Sequence, residues 1–85
     1  MKADDNTMTR EERNRLHMER VRAVHRRSAY ERAVSRLAYF AQLQAEATVG
    51  LRPSLSSLQL ETITSLLALR DLLWAEMVEA GQVQE

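Results

Sequence analysis

Five arginines and two histidines, against two glutamates, occupy residues 17–32, HMERVRAVHRRSAYER. Guanidinium groups at that density could grip phosphates, because each presents five N–H donors in a rigid fork and stays charged at any physiological pH. The alternative is internal, with the same charges answered by acids elsewhere in the chain. The histidines do not compose a metal site. His17 and His25 are eight residues apart, about 80° around a helix, and no carboxylate is spaced to complete a ligand set.

Catalysis finds few ingredients. There is no cysteine, no glycine-rich phosphate loop, and no serine, histidine and acid grouped on one helical face. A non-enzymatic protein without cofactor or metal is therefore expected. Within NRLHMERVR, Asn14 and Arg22 are spaced as in the basic region of basic-zipper proteins, and to that extent the segment resembles one. His17, Met18 and Val21 stand where that motif has small residues, and no leucine heptad follows. Nucleic acid is accordingly the second choice of partner.

The elements that must position these side chains are helical. From Thr9 to Val49 the chain has neither glycine nor proline, and Thr9 with Glu12 has the spacing of a capping box, in which each side chain satisfies an amide orphaned at the helix start. Gly50 can take the left-handed residue that ends a helix, and Pro53 follows where a helix cannot continue. Ser56 and Gln59 repeat the capping-box spacing, and Gly81 marks a second stop. The pattern predicts a flexible N-terminus over 1–8 and one helical-hairpin domain over 9–80, followed by a frayed tail over 81–85. Within the domain it sets a helix at 9–49, a hinge at 50–54 and a helix at 55–80.

The composition, 45% apolar and 28% charged over 85 residues, is that of one folded domain, but a core of this size is marginal without a disulfide, a metal or a partner subunit. The opening MKADDNTMTREE lacks the apolar core of a signal peptide, and LLALRDLLW is interrupted by Arg70 and Asp71. No membrane association and a cytoplasmic location are expected. The net charge is zero but unevenly spread. Residues 1–36 carry Lys2 and nine arginines against six acids, whereas residues 37–85 carry Arg52 and Arg70 against six acids.

A first helix roughly 60 Å long and a second of about 40 Å make an uneven antiparallel hairpin, in which facing residue numbers sum to about 102. The first turns of the long helix then project as an arm. Leu16, Ala23, Tyr30 and Leu37 form a seam at seven-residue spacing, beside a column of Arg20, Arg27, Val34 and Ala41. Phe40 and Leu43 open a second apolar face near the hinge, expected to meet more than one neighbour. In the second helix Leu55, Leu66, Leu69, Leu73 and Met77 form one lobe, and Leu60, Ile63, Leu67, Trp74 and Val78 form another. Together they span roughly 200°, well beyond the approximately 100° that one packed face requires. The second lobe is expected to be a dimer interface, which makes the fold class all-α: an antiparallel two-helix hairpin dimerising into a four-helix bundle.

Charges can be answered in several ways. Glu31 and Arg70 are nearly opposite by the register and are expected to form a structural ion pair. Glu11 with Arg15, Arg15 with Glu19, and Arg27 with Glu31 are four apart, and Glu19 with Arg22 are three apart. Glu76 should lie opposite Arg26, and Glu79 opposite Arg22. Arg10, Arg13 and Arg20 are left furthest from any acid of the second helix. With Leu16, Met18 and Val21 they define the expected partner-binding arm, apolar anchors ringed by arginine. The functional expectation is a small regulatory or inhibitory interaction module, a helical homodimer that docks on a larger protein. The alternative is a nucleic-acid-binding helical dimer that uses the basic arm.

Overall fold

The computed structural model describes residues 8–84, so the expected flexible N-terminus lies outside the described residues except for Met8. Two helices account for most of the chain: α1, Arg10–Thr48, and α2, Ser57–Glu79. They pack antiparallel, and no strand occurs among the described residues.

Local chemistry sets all four helix ends. At the start of α1 the Glu12 backbone N–H donates to Thr9 Oγ1 at 3.0 Å, while the Thr9 N–H donates to Glu12 Oε1 at 3.1 Å. Ser56 and Gln59 exchange the same two bonds at the start of α2, at 3.1 and 2.8 Å. Both stops are Schellman motifs built on a left-handed glycine. Gly50 has φ 82°, its N–H reaches the Ala47 carbonyl at 3.1 Å, and the Leu51 N–H reaches Glu46 at 2.8 Å. Gly81, at φ 76°, bonds Val78 at 3.0 Å, and Gln82 bonds Met77 at 2.8 Å. Any side chain at either glycine would be strained by the backbone alone, since open space surrounds both.

The tail expected to fray at residue 81 is therefore held, at least through Gln82. Its side-chain Nε2 donates to the Ala23 carbonyl at 2.9 Å, its Oε1 accepts from Arg26 Nη1, and its backbone carbonyl accepts from Arg27 Nη2 at 3.4 Å. A Schellman motif brings the residue after the glycine back over the helix end, and here that places a long amide against α1.

The core is small. Ala33, Phe40, Leu43 and Leu66 are buried together, with Leu37, Leu55 and Ile63 packed against them, and Leu73 and Met77 continue the buried line along α2. Phe40 and Leu43 are thus covered by the hairpin itself, not by an additional neighbour. A seven-residue repeat drifts by about 20° per heptad on a straight helix. That drift turns the α1 seam by roughly 60° between Ala23 and the hinge, which brings Phe40 and Leu43 within the buried arc. The shape is a rod of 66 × 21 × 19 Å with a radius of gyration of 19.7 Å. A compact domain of this length would have a radius near 12 Å. Among the described residues, no helix is long and apolar enough to cross a membrane.

A candidate docking arm and an uncovered face of α2

The hairpin register divides α1 into two parts. The Arg26 Nε lies 3.9 Å from Glu76 Oε1, and the rings of Tyr30 and Trp74 meet with centroids 5.6 Å apart and planes tilted by 40°. Together with the Gln82 contacts at Ala23, these pairs put the end of the covered region at Ala23. Residues 10–22 have no helix of this chain beside them.

Arginines below and above that boundary are used differently. Arg26 and Arg27 converge on the C-terminal end of α2, where unsatisfied carbonyls carry partial negative charge and neither helix has a basic residue in its own last turn. They are answered by an amide and a carbonyl as much as by Glu76. In the arm, Arg13 Nη1 donates to the Met8 carbonyl at 2.9 Å. The expected pairs of Arg15 with Glu11 or Glu19, Arg22 with Glu19, Arg27 with Glu31 and Arg22 with Glu79 do not come within ion-pair distance. Solvated side chains at this spacing gain too little to hold one geometry.

Arg70 corrects another expectation. It bonds Asp71 Oδ1 through Nε at 3.1 Å and Nη2 at 3.0 Å, while Glu31 stays exposed on the other helix. Asp71 is adjacent in the chain, so the guanidinium finds a carboxylate without crossing the seam. Elsewhere Arg52 Nε meets Glu46 Oε1 at 2.7 Å, and Gln42 Nε2 donates to Glu46 Oε2 at 3.2 Å. These bonds, that from Gln42 foremost, hold the Glu46 carboxyl below its ordinary pKa. The Thr9 backbone and hydroxyl do the same for Glu12, with a smaller contribution from Arg15.

The six arm residues do not share one face. Met18 is two positions from Leu16 and so about 160° from it around the helix. Leu16 continues the seam line of Ala23 and Tyr30 and is half-buried, whereas Met18 is exposed on the far side. One groove cannot take both. A different grouping forms instead: His17, Arg20, Val21, Val24 and His25 line a shallow apolar depression. Val24, exposed and absent from the expected arm, is its most outward apolar group. The spacing of 17, 21, 24 and 25 is helical, but arginines interleaved with these positions mask the grouping in the sequence.

On α2 the two lobes fare differently from expectation. Leu66, Leu73 and Met77 are buried against α1, but Leu69 of the same lobe is exposed. In the second lobe Ile63 packs into the hairpin core and Val78 is half-buried. Leu60, Leu67 and Trp74 remain 49%, 39% and 37% exposed. They are seven residues apart and form one stripe along α2.

Among the described residues, no three of the metal-ligating types His, Asp and Glu gather closely enough to hold a metal ion. No known protein family, curated protein or solved structure matches the chain.

Proposed function

We propose that this protein is a small non-enzymatic regulatory or inhibitory interaction module, a helical homodimer that docks on a larger protein. One observation carries the reading: apolar groups are left uncovered on both flanks of α2, as the Leu60, Leu67 and Trp74 stripe and as Leu58, Leu69 and Leu72 opposite it, at the turn, and on the arm of α1. Patches of this kind mark interaction surfaces in soluble proteins. The stripe suits self-association into a four-helix bundle, since helices pair along seven-residue columns. The arm suits a helix-in-groove contact, with Val21 and Val24 as anchors and Arg20 at the rim, or with Leu16 where the seam line runs on.

The test is affinity capture with the full chain and with arm variants from the native host, including a nuclease-treated control. A protein retained by the full chain and lost on Val21→Ala or Leu16→Ala supports the docking arm. Retention unaffected by any arm substitution removes it.

A second reading is supported by the arginines. Within the described residues Arg10, Arg15, Arg20 and Arg22 make no ion pair or hydrogen bond, which leaves their charge available to phosphates. If nucleic acid is the ligand, Arg20→Ala should weaken binding to all sequences and flatten its salt dependence, and Val21→Ala should matter little. Absence of DNA or RNA retention at low salt ends that reading.

A further inference from the structure

We infer that two copies associate antiparallel through the α2 stripe, with a two-fold axis near Leu67, so that the arms leave from opposite ends of the assembly. The inference rests on the self-association reading above and adds its geometry.

The surface left uncovered, stripe and projecting arm together, exceeds what a second copy needs to cover. The chain exposes 6894 Å². A folded monomer of 9.8 kDa would expose about 5,200 Å², so the excess is roughly 1,700 Å². A standard interface removes about 800 Å² from each partner. The stripe is also continuous with α1: the hairpin register sets the half-exposed Val34 within one helical turn of Leu67 and the small Ala41 within one turn of Leu60. Val34 and Ala41 stand on the same flank of the seam, giving a low surface on which another helix can lie.

Charge decides the orientation. A parallel pair would set Asp71 against its own copy and bring the arginine column of Arg13, Arg20 and Arg27 against itself. An antiparallel pair about Leu67 places Leu60 against the second copy's Trp74, and Asp71 near the second copy's Thr64, an uncharged side chain whose hydroxyl donates to the Leu60 carbonyl of its own helix. It also opposes the helix dipoles. The arm arginines then approach the C-terminal end of the second copy's α1, which has no basic residue in its own last turn.

The remaining apolar groups fit the same arrangement. Met18 lies about 24 Å up α1 from Val34, and Gly50 lies about 24 Å in the other direction. Each arm is therefore level with the second copy's turn, where Val49 and Leu51 are 69% and 77% exposed. Leu16, on the seam side of the arm, can cover them. Residues 10–14 extend past that turn. The assembly presents two arms whose Met18 positions are about 50 Å apart. A larger partner with two suitably placed grooves would be held by both, raising avidity without any new contact.

The chain has no cysteine, so single cysteines on exposed sites accept spin labels without ambiguity. With Met18→Cys alone, pulsed electron resonance should give a distance of about 50 Å between copies. Mixing Met18→Cys with Leu51→Cys should add a separation below about 25 Å, and Leu67→Arg should abolish both signals. A short distance for Met18→Cys alone would overturn the antiparallel arrangement and leave the dimer reading standing. Distances that survive Leu67→Arg would overturn the interface. A monomer in light scattering at tens of micromolar would overturn this inference together with the self-association reading.

Discussion

Met77 and Met18 are the same residue on two amphipathic helices, yet Met77 is 1% exposed and Met18 46%. The difference is the neighbour. Between Ala23 and Thr48, α1 has α2 alongside, and Ala33, Phe40 and Leu43, Arg26 and Arg27, and the Gln82 amide find partners within the chain. Over residues 10–22, α1 continues as helix beyond the end of α2; Leu16 and Val21 are only half-buried, and Met18, Arg10, Arg15, Arg20 and Arg22 are exposed. A helix can be well specified locally and still be incomplete energetically, because most helical stability in proteins comes from packing one face.

The largest expected contrast tests this division directly. Met77→Ala should destabilise the fold by about 2–4 kcal/mol, whereas Met18→Ala should change it by less than about 0.5 kcal/mol. Urea denaturation at one fixed protein concentration measures both, and equal effects would break the comparison. Next in size are the two capping serine and threonine positions. Ser56→Ala should cost about 1 kcal/mol of global stability, since α2 cannot unwind without uncovering the core. Thr9→Ala should reduce helical ellipticity while leaving the denaturation midpoint nearly unchanged, because fraying of the arm breaks no packing.

Gln82→Ala sharpens the boundary itself. Loss of the bonds to Ala23 and Arg26 should cost about 1 kcal/mol and speed amide exchange near Ala23, lengthening the unprotected arm. If exchange there is unchanged, the boundary is set by Tyr30 and Trp74 and not by the C-terminal clamp. The smallest effect is on pH. Glu12 and Glu46 both have lowered folded-state values, so their contribution is complete above the ordinary carboxylate value of 4.5 and is lost as pH falls through the lower folded values. Glu12→Gln should remove the arm's share, seen as a loss of acid-dependent ellipticity, and Glu46→Gln that of the hinge. Stability that rises on acidification would contradict both.

Helix limits were legible to within a residue or two because capping boxes and left-handed glycines act through neighbours in the chain. Thr9, Ser56, Gly50 and Gly81 all perform the roles their types and spacing announce. The antiparallel register was legible too, since a short hinge and a seven-residue seam leave few choices, and the pairing of Arg26 with Glu76 follows from it. Less legible was the use of each charge. Arg70 could have met Glu31 or Asp71, and the nearer carboxylate won. The role of Gln82 is not legible, because nothing in its local sequence marks an amide that will reach across to another helix.

The sequence by itself determined two helices, where they start and stop, which way they run, and that α2 is apolar over more of its circumference than one neighbour can cover. Only the tertiary structure decided which apolar groups are spent within the hairpin. Ile63, Phe40 and Leu43 went to the core, while Leu60, Leu67, Trp74 and Val24 were left outside. Caps and turns are governed by atoms a few residues away, so they can be read in order along the chain. Burial depends on which surface comes within contact distance, and a drift of a few tens of degrees along a long helix changes that answer residue by residue.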